Sequence, residues 1–237
     1  MTEALLDHGA DVNAVCSSGT ALRLAVGSGF SEVARLLLER GADAEIEQPD
    51  ASVLQTPLLT ALAYQELSSA RVLLEAGADV NHGVRDNSPL RLAAYYLEDE
   101  EAVRLLLEFS PGPDVNIQDT VGDTVLNDAS GDGHLPIVKR LVNYGADVEL
   151  ANATGITPLY RAINNRQIEV VEYLLSRKAN VNIVLRQSGT ALHLACRRAD
   201  LEIVKLVAAR RGIDVNRGCD EMAGTPLMSA LWGIASP

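Results

Sequence analysis

The residues best placed to do chemistry in this 237-residue sequence are His193 and Cys196, three apart on one expected helix and so able to offer two metal ligands from one face. A structural zinc needs four ligands, and no second pair follows at a suitable spacing. His8, His82 and His134 fall near helix ends and loops, with no carboxylate or nucleophile recurring beside them. Gly27-Ser28-Gly29 and Gly131-Asp132-Gly133 resemble phosphate loops only superficially. Neither follows a strand or completes a glycine fingerprint, and both read as turns between helices. Asn152-Ala153-Thr154 spells a glycosylation acceptor, which without a secretory signal reads as coincidence. No catalytic, cofactor-binding or metal site is expected.

The elements that would have to position such residues follow from bulk properties and from a period. With 47% hydrophobic and 22% charged residues, the chain has an ordinary globular composition. Aromatics make up 4%, so the core must come from Leu, Val, Ile and Ala, which suits packed helices. Cys16, Cys196 and Cys219 are odd in number and form no CxxC pair, arguing for a reducing compartment. Glu3 and Asp7 stand where a signal peptide would need a basic lead and an apolar run, and no stretch approaches a membrane span. A soluble cytoplasmic protein is expected, with the nucleus as a second location. The formal charge of −12 is uneven: residues 1–118 hold 19 acidic against 7 basic residues, residues 119–237 hold 13 of each, and Arg161 to Arg217 is locally basic. Such polarity guides partner choice rather than fold.

A segment of the form G-A-D-V-N begins at Gly9, Gly41, Gly77, Gly112, Gly145, Lys178 and Gly212, steps of 32, 36, 35, 33, 33 and 34 residues. About twelve residues after each start comes a Ser or Thr followed by Pro, Ala or Val and then Leu: Thr20, Thr56, Ser88, Thr124, Thr157, Thr190 and Thr225. The hydroxyl can cap a helix, and Pro at its first position forfeits no needed donor. Each copy therefore predicts a short first helix (Pro158 to Asn164 is the cleanest), a second (Ile168 to Ser176), a glycine-closed end and a turn-forming finger. Lys178 and Asn180 replace Gly and Asp, Glu47 to Val53 enlarges one finger, and Glu98 to Glu101 with Phe109 to Pro113 is expected to lengthen two loops of another copy. Asp128 and Arg161 occupy matching places in consecutive first helices, so stacking predicts an ion pair between copies.

The run Gly189-Thr190-Ala191-Leu192-His193-Leu194-Ala195, followed by Leu201-Glu202-Ile203-Val204-Lys205-Leu206, closely resembles the ankyrin repeat family, and the likeness extends over essentially the whole chain. It implies an all-α fold, an ankyrin-repeat solenoid of stacked antiparallel helix pairs with β-turn fingers. The expected single domain, 1–237, holds a half repeat at about 1–14, full repeats at 15–46, 47–82, 83–117, 118–150, 151–183 and 184–217, and a half repeat at 218–237. It also implies a non-catalytic scaffold that binds a partner protein on a concave face built from fingers and first-helix ends. The family's His at the place of His193 serves structural hydrogen bonds, and the loop asparagines matched by Asn13, Asn81, Asn116, Asn182 and Asn216 are hydroxylated in some arrays.

Carried onto this chain, the exposed first-helix ends are Gly27 and Ser28, Ala63 and Tyr64, Tyr95 and Tyr96, Gly131 and Asp132, Asn164 and Asn165, Arg197 and Arg198. The expected partner-binding residues are Tyr64, Tyr95, Tyr96, Asp132, Asn164, Asn165, Arg197 and Arg198, with the tyrosines anchoring a ligand segment and the arginines pairing with its acidic end. Two readings stand beside the scaffold. One makes the array the substrate-recognition region of a multidomain enzyme such as a ubiquitin ligase or acyltransferase. The weaker one uses the basic strip 161–217 for anionic ligands, nucleic acid or a membrane surface, against which stand the net charge and the absence of interleaved aromatics. The terminal helices, with Leu227, Met228, Leu231, Trp232 and Ile234 in the last, are expected to lack partners, pointing to a fragment of a longer protein, to end-to-end self-association or to end helices that fold back loosely.

Overall fold

The computed structural model describes residues 1–47, 56–83, 87–185, 188–219 and 224–235, the last four as backbone only. The enlarged finger beyond Glu47 and the side chain of Trp232 lie outside the described residues. The order is α1 (Thr2–Asp7), α2 (Ala21–Gly27), α3 (Ser31–Glu39), α4 (Pro57–Ala63), α5 (Leu67–Glu75), α6 (Pro89–Arg91) running into a π turn (Leu92–Tyr96), then α7 (Glu100–Glu108). It continues with α8 (Val125–Asp132), α9 (Leu135–Tyr144), α10 (Pro158–Asn164), α11 (Ile168–Ser176), α12 (Ala191–Arg197), α13 (Leu201–Ala208) and α14 (Pro226–Ala235). Among the described residues there is no strand, only single antiparallel bridges at three finger tips, Cys16 with Gly19, Leu185 with Gly189 and Cys219 with Gly224. The chain divides into two compact units, Met1–Asp114 and Val115–Pro237.

Each unit is a row of helix pairs whose starts are fixed by hydroxyl caps. Thr20, Thr56, Ser88, Thr124 and Thr157 accept from the backbone N–H three residues on at 3.1–3.3 Å, satisfying a donor the helix leaves open. The second helices α3, α5, α9 and α11 are each followed by a left-handed residue, whereas α7 ends in extended Phe109. Gly145 has φ 115°, and Lys178, at the corresponding place after α11, is held at φ 69° despite its Cβ. The geometry survives that departure, and Asn180 makes the same turn bond to Asn182 that aspartate makes elsewhere.

Leucines carry the packing. Leu22, Leu37, Leu58, Leu62, Leu73, Leu90 and Leu106 in the first unit, and Leu126, Leu141, Leu159 and Ile163 in the second, are fully buried, each worth about 2 kcal/mol of transfer free energy. First helices pack on first helices (α2 on α4, α8 on α10, α10 on α12), and second on second (α3 on α5, α11 on α13). A side chain in every finger links one copy to the next. Asn13 accepts from the Asp43 N–H at 2.9 Å, Glu45 from Asp79 at 2.8 Å and Asn81 from Asp114 at 2.8 Å. In the second unit Asn116 accepts from Asp147 at 2.8 Å and Glu149 from Asn180 at 2.7 Å.

The third copy differs from the sequence expectation in one respect. The left-handed residue that turns a first helix into the second lies nine positions after the cap in five copies (Thr20 to Gly29, Thr56 to Gln65, Thr124 to Gly133, Thr157 to Arg166, Thr190 to Ala199) but ten in this one, Ser88 to Glu98. The loop itself is not longer: Leu97–Asp99 spans three residues, as Tyr64–Glu66 does. The surplus residue is absorbed inside the helix, where the backbone widens to the π turn. Glu100 and Glu101 belong to α7, whose N–H groups at Glu101 and Ala102 are capped by Asp99 at 3.0 Å. The second expected lengthening is present, with six positions from Glu108 to Asp114 against four from Glu75 to Asp79.

Candidate protein-binding face

In the first unit, α2, α4 and the π turn present their C-terminal ends side by side. The floor is Gly27, where a Cβ would stand 3.1 Å from Thr60 and 3.6 Å from the Tyr64 ring. Only a small residue lets α4 approach so closely. Tyr64 is 60% exposed, Tyr95 39% and Tyr96 55%. The last two meet edge to face, with ring centres 5.0 Å apart. Beside Tyr64 lies a cleft of about 310 Å³, walled by half-exposed Leu24 and by Arg23, whose guanidinium donates to Thr60 Oγ1 at 3.1 Å. The tyrosines expected to serve as anchors are thus exposed at neighbouring first-helix ends of this unit.

The second unit finishes its row differently. Gly131 is buried and its carbonyl accepts from Asn165 Nδ2 at 2.9 Å and Gln167 Nε2 at 3.0 Å. Asn164 donates to Asn165 Oδ1 at 3.0 Å and accepts from the Arg198 guanidinium, and Arg166 donates to the Arg198 carbonyl at 2.5 Å. Asp132 and Arg198 are exposed and Arg197 half-buried. Asn164, Asn165 and Arg198 are therefore joined to one another as well as facing water.

The chemistry-bearing residues have structural partners. His193 is fully buried: Nδ1 meets the Thr190 N–H at 3.2 Å and its hydroxyl at 2.8 Å, and Nε2 meets the Gly224 carbonyl at 3.2 Å. Asn127 does the same work in α8, with its oxygen on the Thr124 N–H at 3.0 Å and its nitrogen on the Ile156 carbonyl at 3.1 Å. Burial pushes the Cys196 thiol up, away from the thiolate that ligation or attack requires. Among the described residues no three His, Cys, Asp or Glu side chains are grouped to hold a metal.

Two clusters escaped the sequence reading. Arg161 does meet Asp128, at 3.5 Å, but its shorter contact is with Asp123, which also accepts from Asn152 at 2.9 Å. Both carboxylates are buried, so this is an interior triad rather than a surface pair. Gly131 makes room for the Arg161 chain, 3.0 Å from where its Cβ would be. His82, expected to have no carboxylate beside it, lies between two: Nδ1 is 2.5 Å from Glu45 and Nε2 is 2.8 Å from Glu47. The Glu47 hydrogen bond, opposed by burial and helped by the Glu45 charge, raises the imidazole above its ordinary value. The signal was available, since the residues lie close to one period apart.

Comparison with known families and structures agrees with this geometry. A model described as "Ankyrin repeats (3 copies)" matches residues 90–185, and one described as "Ankyrin repeat" matches 19–50 and 189–220. The chain belongs to the ankyrin repeat family. Over 129 residues, 53% of the chain, it is 33% identical to the ankyrin repeat and KH domain-containing protein mask-1 of Caenorhabditis elegans. It is 34% identical over 103 residues (44% of the chain) to mouse ankyrin repeat and SOCS box protein 11, and 33% identical over 127 residues (54%) to the mouse B-cell lymphoma 3 protein homolog. The matched segments span 5%, 30% and 20% of those proteins. The crystal structure of the ankyrin repeat domain of Bcl-3, a member of the IkappaB protein family, superposes with a TM-score of 0.79 at 26% identity, covering 92% of this chain and 98% of that one. The chain is an ankyrin-repeat solenoid, a repeat domain of the protein-interaction type, and among its described residues no helix is long and apolar enough to cross a membrane.

Proposed function

We propose that this ankyrin array is a non-catalytic binding module that holds a partner protein against the face formed by fingers and first-helix ends. Tyr64, Tyr95 and Tyr96 are the contact residues of the first unit, and Asp132, Asn164, Asn165, Arg197 and Arg198 those of the second. The observation that carries the reading is the exposure of three tyrosines on neighbouring helix ends, in a chain that otherwise keeps aromatics scarce. Tyr and Arg are the types that dominate interface energetics when a partner covers them. Supporting the absence of catalysis, His193 is hydrogen-bonded at both ring nitrogens and burial holds the Cys196 thiol against ionisation. Three free cysteines support a reducing compartment such as the cytoplasm.

A second reading makes the array the recognition part of a larger protein that does the chemistry elsewhere. Its support is that two relatives are named for a further domain, a KH domain and a SOCS box, and that the match covers a minor share of each. The test is affinity capture followed by measurement with the identified partner, comparing the wild-type chain with a Tyr64→Ala, Tyr95→Ala, Tyr96→Ala variant and an Arg197→Ala, Arg198→Ala variant. The expected result is loss of partner binding in at least one with the fold intact. Equal binding by both variants would remove this face from consideration.

A further inference from the structure

We propose that the tyrosine face of the first unit takes an extended polypeptide segment bearing arginine or lysine, whose cations lie on the rings of Tyr64, Tyr95 and Tyr96. This rests on the protein-binding reading above and adds the chemistry of the partner. Three observations converge on it. The first is local: the third copy carries inside its first helix one residue more than the five other copies whose helix and turn are described, and the resulting π turn ends on the adjacent pair Tyr95 and Tyr96. A π turn costs helix regularity and is found most often where it presents side chains for a function. Here it sets two rings edge to face and half-exposed, an arrangement that offers π faces to a cation.

The second observation is charge. The first unit, residues 1–114, carries 19 acidic and 7 basic residues. Its described arginines are already engaged: Arg35 with Glu75, Arg40 with Glu3 and Asp7, Arg71 with Glu108, Arg104 with Glu101 and Glu108, Arg23 with Thr60. Arg91 is buried, 2% exposed. An acidic segment would meet an excess of like charge, whereas a basic one is drawn in. Glu66 and Glu98 stand two positions beyond Tyr64 and Tyr96, at the edge a segment crossing the rings would pass. The third is shape. The cleft beside Tyr64, with Leu24 and Gly27, is open and shallow enough for one small apolar side chain next to the cation, which fits an extended segment better than a folded surface.

The test is selection of random dodecapeptides displayed on phage against the full chain at physiological salt, then direct titration of synthetic winners. Selected peptides should carry Arg or Lys, and replacing that residue by uncharged citrulline or norleucine should weaken binding about tenfold. Tyr95→Ala with Tyr96→Ala, and Tyr64→Ala, should each weaken it by a similar factor, whereas the matching Tyr→Phe variants, which keep the ring, should stay within about threefold. Circular dichroism melts establish that the variants fold, and the Phe variants keep the outcome decisive if an Ala variant does not. Acidic or uncharged winners, binding indifferent to the tyrosines, Phe variants as weak as Ala, or no enrichment would each overturn the inference. Acidic peptides held in a tyrosine-dependent way, or peptides released only by Arg197→Ala with Arg198→Ala, would overturn it while leaving the protein-binding reading in place.

Discussion

The two units share one architecture and finish it in opposite ways. At the first-helix ends of the first unit stand Gly27, Ala63 and three exposed tyrosines, while the same positions in the second hold Asn164, Asn165 and Arg198 joined by hydrogen bonds. The first unit places its arginine ion pairs on second helices and their ends, as in Arg35 with Glu75 at 3.2 Å, both nearly half exposed. The second joins two first helices and a finger through a triad, with Asp128 and the finger residue Asp123 buried against Arg161. Stacked repeats need register, and polar side chains used for register are less available to a visitor. Where the polar links between copies lie mainly in the fingers and on the second helices, the first-helix ends are left open for contact.

The largest effect that would test this contrast is on Arg161. Arg161→Met removes the guanidinium that Asp123 and Asp128 share and should destabilise the second unit by about 3 kcal/mol, read by urea unfolding. Arg35→Met in the first unit should cost less than about 1 kcal/mol, because its pair is solvated. Comparable losses would erase the distinction between the units. Next comes His193→Ala, expected to cost about 2 kcal/mol, since it opens a cavity, strands the Thr190 N–H and takes from the Gly224 carbonyl one of its two donors. His193→Asn should recover part of this, because Asn127 performs the same task in α8. Lys178→Gly has the opposite sign: relieving a left-handed non-glycine residue should stabilise the second unit by about 1 kcal/mol in the same assay.

A smaller, pH-dependent effect belongs to the first unit. The folded-state value of His82 is raised, so its contribution is present in full below the unfolded value and is lost as pH rises through the folded one. Relative to a His82→Gln variant, the wild type should gain unfolding stability between pH 8 and pH 6. A variant with the wild-type pH slope would show that the two glutamates do not hold the imidazolium. The smallest expected stability change is for Tyr64, Tyr95 and Tyr96 replaced together by alanine, within about 0.5 kcal/mol per site, because exposed side chains away from special features contribute little.

What could be read from the sequence was whatever repeats. The caps at Thr20 through Thr157, the bounds of α10 and α11, and the pairing of Asp128 with Arg161 all follow from local chemistry plus a period. The exposure of the three tyrosines followed from the family's pattern. What escaped lies where the period is broken or where two fingers meet. Asp123 belongs to a finger, outside the helical pattern that pointed to Asp128, and the Glu47 and His82 pairing joins the edge of an enlarged finger to the next copy. The surplus residue of the third copy was placed in a loop because loops absorb length at little cost. Sequence spacing alone does not reveal that a helix has widened to take it.

The finger side chains that accept from the following copy, Asn13, Glu45 and Asn81 in the first unit and Asn116 and Glu149 in the second, give each row a direction: these copies present an acceptor forward and a backbone donor behind. A gene for such a protein can be spliced, duplicated or trimmed in whole copies, because any cut at the period rejoins matching halves of this bond. A change of one or two codons has no such freedom. It must be hidden within a single copy, and the widened turn at Leu92–Tyr96 is what one such hidden residue looks like.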